Sequence, residues 1–173
     1  MASDYIVSQV LTDKIYLNPS EINISNIVEI LIVKLKHRIG NKIYNNGYVL
    51  KNSIKFIGKS IGKIVNLNNI NKIEYVIKYS VEMIIPSVED KIECYIDNIN
   101  KMGIIAYIKL RELIEDYNGE NTLRDSPLLI IIPSETIENL ERYNTGSKIM
   151  IKVLATRSKI NSDKIQIIGI ITD

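Results

Sequence analysis

The sequence predicts a mixed α+β protein in two parts, the first built of strands around one helix and the second mostly of strands. Three observations carry that expectation. An amphipathic stretch of helical period lies between Asn18-Pro19 and Gly40. Five short apolar runs follow Pro86, separated by turn-forming residues. The charge balance also reverses there: 11 Lys+Arg stand against 6 Asp+Glu through Pro86, and 11 against 14 from Ser87 onward. The expected domains are therefore 1–86 and 87–173.

The first part opens with β-prone residues from Tyr5 to Leu17, closed by Asn18-Pro19. Asn18 suits a cap, Pro19 the first helical position, and Glu21 the positive end of the helix dipole. A helix is predicted over Ile22 to His37, with Ile27, Ile30, Leu31 and Lys34 at helical spacing and Gly40 as its stop. Asn45-Asn46-Gly47 marks a turn, and Tyr48-Val49-Leu50 opens a strand. The stretch around Gly58 and Gly62 reads as a loop. Glu74 to Ile85 alternates as a long strand, with Tyr75, Ile77, Tyr79 and Val81 on one face and Lys78 and Glu82 on the other. Beyond Pro86 the strand candidates are Lys91 to Ile96, Ile104 to Ile108, Leu128 to Ile132, Lys148 to Ala155 and Lys164 to Ile171. Five strands of this kind suggest a small Greek-key barrel of OB type. Ser134-Glu135-Thr136-Ile137-Glu138 reads as a capped helix start between the third and fourth of them. Leu128 to Ile132 has no alternation, so a strand buried on both faces or against a partner is expected there, with a subunit interface as the lesser reading.

Composition narrows the function classes. Of 173 residues, 46% are hydrophobic and 24% charged, which excludes disorder as the main state. A single Cys and a single His leave no disulfide framework and make a His/Cys metal centre a poor reading, and no cofactor is expected. His37 falls at the polar end of the helix, and Cys94 reads as a small buried hydrophobe. The amino terminus lacks the basic flank and apolar centre of a signal peptide, and apolar runs such as 128–132 are far shorter than a membrane span. An intracellular protein without a membrane partner is expected. Glu112, Glu115, Asp116 and Glu120 have no third fixed ligand or electrophile beside them and read as a solvated segment. Phosphate-loop, nucleophile and zinc signatures are absent, so a non-catalytic role is expected.

Several local motifs occur in a telling order: Ile15-Tyr16-Leu17-Asn18-Pro19, Val33-Lys34-Leu35 leading to Gly40, Gly47-Tyr48-Val49-Leu50, and Ile57-Gly58 with Gly62. Val76-Ile77-Lys78-Tyr79-Ser80-Val81 and Ile99-Asn100-Lys101-Met102-Gly103-Ile104-Ile105 follow. The series closes with Ile151-Lys152-Val153-Leu154-Ala155-Thr156-Arg157 and Ile167-Ile168-Gly169. From about Tyr5 to Asp173 the chain resembles the seventh subunit of eukaryotic RNA polymerase II and its archaeal counterpart, the E subunit, the larger member of a two-subunit stalk. The resemblance implies a truncated RNA-recognition-like α/β domain followed by a five-stranded OB-type barrel. It implies a non-catalytic subunit whose first domain docks on the large polymerase subunits near the clamp and whose barrel lies beside the nascent RNA. A smaller stalk subunit is a further candidate partner. Ile is roughly a fifth of the chain, against a typical share nearer a twentieth, and Lys and Asn are abundant. That bias points weakly to a large nucleocytoplasmic DNA virus, placing the protein in the nucleus, a cytoplasmic viral factory or the virion.

Candidate docking residues are Gly40, Gly47, Phe56, Gly58 and Gly62, since glycine allows close backbone approach and a lone Phe suits an interface anchor. Candidate RNA contacts are Lys101, Tyr107, Lys152, Arg157 and Lys159, cations for phosphates and a ring for a base. Two departures from the family's pattern stand out. Val88-Glu89-Asp90 replaces a glycine before the first barrel strand, and aliphatic Met102, Ile105 and Ile131 stand where RNA-binding barrels carry aromatics, so weak RNA binding is expected. Residues 109–127 read as an insertion that could replace part of a missing partner's surface. The competing expectations are a free RNA-binding module of translation or RNA decay, and a polymerase subunit without RNA affinity.

Overall fold

The computed structural model describes residues 5–22, 25–114, 117–158 and 162–172. Strands dominate: β1 (Ile6–Leu17), β2 (Ile43–Tyr44), β3 (Gly47–Val49), β4 (Lys55–Lys59), β5 (Lys63–Leu67) and β6 (Ile70–Ile84) accompany one helix, α1 (Ile27–Ile39). They form a sheet in the order β1-β6-β3-β2, with β4 and β5 also pairing with β6. The remaining strands, β7 (Lys91–Asn100), β8 (Gly103–Tyr107), β9 (Leu128–Pro133), β10 (Lys148–Arg157) and β11 (Ile165–Ile171), close a barrel. By packing, the chain divides into two compact units: Val7–Asn41 with Val49–Met83, and Met1–Ile6 with Lys42–Tyr48 and Ile84–Asp173.

In the first of these units the predicted alternation of β6 is realised: Tyr75, Ile77, Tyr79 and Val81 are buried while Lys78 and Glu82 are exposed. The helix starts later than predicted. Asn18, Pro19 and Glu21 build a 3-10 turn (Pro19–Glu21), in which the Asn18 N–H donates to Glu21 Oε2 at 2.7 Å. The helix proper takes Asn26 as its cap, whose carbonyl accepts the Ile30 N–H at 3.1 Å. Leu31, Leu35 and Ile39, spaced by four, form its buried stripe, each burial contributing about 1.5–3 kcal/mol. At the other end the Gly40 N–H caps Lys36 O, and the left-handed residue that turns the chain is Asn41 (φ 54).

Gly58 lies within β4, correcting the predicted loop there, while Gly62 lies in the short 60–62 link between β4 and β5. Both β4 and β5 run antiparallel to β6, with a bulge between Phe56 and Gly58. Ser60 joins them, donating its N–H to Val76 O at 2.8 Å and accepting the Val76 N–H on Oγ at 3.0 Å. The glycines therefore mark a bulge and a close approach rather than a break in the sheet. The hairpin's true turn is Asn68-Asn69, both left-handed (φ 51 and 62), between the paired Leu67 and Ile70. Two left-handed residues in a two-residue connection give the turn whose twist matches the strands.

The barrel runs β10-β11-β9-β8-β7, antiparallel throughout except for the parallel pair β9–β11, an arrangement consistent with an OB type. Its interior is an aliphatic core, Ile92, Cys94, Ile96, Ile104, Ala106, Leu128, Ile130, Ile132, Ile151, Val153, Ile165 and Ile167, drawn from alternate positions of every strand. Burial of 128–132 on both faces is not observed: Leu128, Ile130 and Ile132 point inward, while Ile131 is exposed. Since every position of this strand is aliphatic, hydrophobicity alone could not reveal its period. The helix predicted after β9 is replaced by two 3-10 turns, Ser134–Thr136 and Leu140–Arg142. Each is too short to propagate as a helix. Between β8 and β9, a 3-10 turn at Leu110–Glu112 begins the predicted insertion. Lys164 Nζ fastens the far end of that segment by donating to the carbonyls of Leu123, Arg124 and Ser126 at 2.6–2.8 Å. Buried Ser126 accepts the Ile108 and Leu128 N–H groups on Oγ and donates to Leu128 O.

Candidate nucleic-acid interface

Strand register sets which outward side chains are neighbours on the barrel. Tyr95 on β7 lies opposite Tyr107 on β8 and opposite Lys148 on β10. The two rings are 6.2 Å apart and tilted by 39°, a favourable aromatic contact. Lys109 Nζ lies 3.6 Å from the Tyr95 ring centroid and Lys148 Nζ 5.9 Å from it. Carboxylates balance these cations: Lys148 pairs with Glu93 at 2.5 Å, and the Tyr95 hydroxyl donates to Glu112. The Glu112 hydrogen bond raises the Tyr95 phenol pKa, and the Glu93 carboxylate raises that of the Lys148 ammonium. Ring faces, cations and acids thus converge on one patch.

Two further rows flank it. Leu129 on β9, Gln166 on β11 and Arg157 on β10 follow one another in register, with Leu129 one residue beyond the last β8–β9 pair. The second row is Asn98, Ile105, Ile131, Ile168 and Ala155, aliphatic on four of its five strands. At the β7–β8 turn, Met102 is 84% exposed.

Of the predicted RNA contacts, Tyr107 lies in the aromatic patch and Arg157 ends the row beside it. Lys101 is exposed in the β7–β8 turn, at the opposite end of β8 and about 13 Å along the strand from Tyr107. Lys152 is on β10, four residues from Lys148, and pairs with Glu89 at 2.8 Å. Neither cation joins the aromatic patch, and Lys159 is outside the described residues. Tyr95, Lys109 and Lys148 carry no sequence expectation as site residues, and Glu112, expected as a solvated carboxylate, accepts the Tyr95 hydroxyl. The signal for Tyr95 was present: with Ile92, Cys94 and Ile96 facing inward, the alternation of β7 turns its aromatic residue outward.

The docking residues have mixed fates. Phe56 is half-buried opposite Tyr79, so it packs on the sheet rather than standing out as an anchor. Gly40 caps α1, where an added Cβ would meet Lys36 O at 2.4 Å. Gly47 begins β3 directly after the left-handed Asn45-Asn46 turn. Gly58 has open space where a Cβ would lie, and Gly62 is pressed against the Tyr75 ring and Ile73. What the hairpin exposes is aliphatic: Ile61 at 88%, Ile64 at 75%, Ile70 at 56% and Ile57 at 50%.

Elsewhere in the first unit, an open cleft of about 470 Å³ between β1 and α1 is lined by Ile15, Tyr16, Val33, Lys34, His37 and Arg38. Its cations are tied up in ion pairs, Lys34 with Glu21 at 2.9 Å and Arg38 with Asp13 at 2.7 Å. Among the described residues there is no group of three His, Cys, Asp or Glu side chains fit to hold a metal ion, and no helix long and apolar enough to cross a membrane. No protein-family model and no curated protein matches this chain.

Proposed function

We propose that the chain is a non-catalytic stalk subunit of a multisubunit DNA-directed RNA polymerase. Its first half is a truncated RNA-recognition-like domain that docks near the clamp, and its OB barrel lies beside the emerging transcript. The observation that carries the reading is the β4–β6 hairpin. Four isoleucines stand exposed on a strand arm braced by the Ser60–Val76 bonds and the Asn68-Asn69 turn. Apolar side chains concentrated on one rigid arm suit burial in a protein partner. The motif order of the whole chain directs that partner choice to the large polymerase subunits. Chemistry stays with those subunits, and this chain supplies docking and transcript guidance.

The Tyr95–Tyr107 pair favours a second reading, a free RNA-binding module of translation or RNA decay. Affinity capture of the tagged chain from its native source, followed by mass spectrometry, separates the two. The stalk reading expects both large polymerase subunits in near-equal amounts. Ribosomal or RNA-decay proteins in their place would sink it.

A further inference from the structure

The turn after β8 does more than connect strands, because it lays a cation and a carboxylate over the aromatic patch. Lys109 Nζ occupies the Tyr95 ring face at 3.6 Å, the position a stacking base would need. Three residues on, Glu112 accepts the Tyr95 hydroxyl hydrogen bond. Both side chains come off a fixed support. Leu110 is buried, its carbonyl accepts the Leu113 and Ile114 N–H groups, and the Arg111 N–H donates to Asn121 Oδ1 at 2.9 Å. The charges also cancel, Lys109 and Lys148 standing against Glu93 and Glu112. These four charges therefore add no net attraction for a phosphate, although two of them are cations within reach of the ring.

We propose that Lys109 and Glu112 form an in-chain cover on the Tyr95 ring, which single-stranded nucleic acid must displace, and that this cover keeps the contact weak and exchangeable. The inference rests on the barrel being the nucleic-acid surface of the proposed function. A half-buried cation–π contact is worth no more than the stacking of a base on the same ring, so a base can take the place of Lys109. The released ammonium then serves a phosphate. Glu112 opposes the exchange twice, by holding the ring's hydroxyl and by repelling the backbone. Such a contact suits a strand of any sequence that slides past rather than stays.

Fluorescence anisotropy of the full chain with a fluorescein-labelled 20-nucleotide oligouridylate, across a salt series, tests this. Glu112→Gln removes the negative charge from an exposed side chain without emptying the site. It is expected to tighten binding roughly threefold to tenfold at low salt, the effect of one unit charge close to a phosphate. The plot of log affinity against log salt should steepen by about 0.7, since one more cation becomes available to the strand. Adding Tyr95→Leu to Glu112→Gln should cancel the gain. If the wild-type chain binds and Glu112→Gln neither tightens binding nor changes the slope, the cover is refuted while the nucleic-acid surface stands. If neither chain binds at low salt, both are refuted.

Discussion

Gly103 turns the chain between β7 and β8, and replacing it with Ala gives a sharp test of the barrel. Its φ is +136°, and a Cβ built there would lie 2.0 Å from Ile132 O and 2.8 Å from Ser134 N. These are backbone atoms, so no side chain can rotate aside. Gly103 pairs with Pro133, and the Ser134 N–H bonds Met102 O at 3.0 Å, so relief requires the β8–β9 end to open. The backbone conformation alone costs an L-residue about 1–3 kcal/mol, and the disrupted strand end brings the total to roughly 3–5 kcal/mol. A domain has only about 5–15 kcal/mol in hand, so Gly103→Ala should lower Tm by roughly 6–20 °C. Two other glycines isolate the clash. Gly146 also has positive φ (+81°) but open space around it, so Gly146→Ala should cost only the conformational part, about 1–2 kcal/mol. Gly58 has neither constraint, and Gly58→Ala should be close to neutral, within about 0.5 kcal/mol. Urea denaturation followed by far-ultraviolet circular dichroism ranks the three. A Gly103→Ala loss no larger than that of Gly146→Ala would refute the reasoning.

Glu89 holds a left-handed backbone (φ 78) that glycine adopts without strain, so Glu89→Gly should stabilise by about 1 kcal/mol despite loss of the exposed Lys152 ion pair, and an unchanged or lowered urea midpoint would contradict this. Burial pushes the Cys94 thiol up to about 12, so labelling by a disulfide reagent at pH 8 should track global unfolding rather than occur in the native state. The Tyr48 phenol is likewise pushed up to about 12 by burial, and both shifts act in one direction. The unfolded thiol and phenol ionise first, so their stabilising contribution is complete below about pH 9 and declines as pH rises toward 12. Melting temperatures measured across that range should fall, and Cys94→Ala should flatten part of the decline. Lys164→Met removes three donors from the carbonyls of Leu123, Arg124 and Ser126, so amide exchange in residues 117–126 should accelerate while the barrel strands keep their protection.

What the sequence made legible follows from what each element depends on. The face of β6 could be read because burial imposes a period of two on its side chains, and the five barrel strands because turn-forming residues bound their short apolar runs. α1 was visible from apolar residues spaced by three and four, but its start was displaced because Asn18, Pro19 and Glu21 stabilise any tight turn, including the 3-10 turn they form. The hairpin was misread at both ends. Gly58 and Gly62 suggested a break although Ser60 carries the pairing across it, and Asn68-Asn69 passed unnoticed as a turn because no glycine follows. Six asparagines, Asn41, Asn45, Asn46, Asn68, Asn69 and Asn121, take left-handed conformations among the described residues. Left-handed turns thus account for part of the chain's Asn content. The site was the least legible part. Tyr107 was found as an aromatic, but its neighbours depend on cross-strand register, which brings Tyr95 and Lys148 beside it from distant parts of the chain.

The central claim concerns the exposed hairpin as much as the barrel, and one comparison tests it most directly. The tagged chain and its Ile61→Asp/Ile64→Asp variant are captured from the native source under identical conditions, with thermal melts verifying that both fold. Both side chains are already exposed, so stability should change by less than about 1 kcal/mol. Each would contribute about 1.5–3 kcal/mol when buried in a partner, so the pair should weaken association by at least a hundredfold. The two large polymerase subunits should come down with the wild-type chain and be lost with the variant. Equal recovery with both chains, or the absence of polymerase from both, would contradict it.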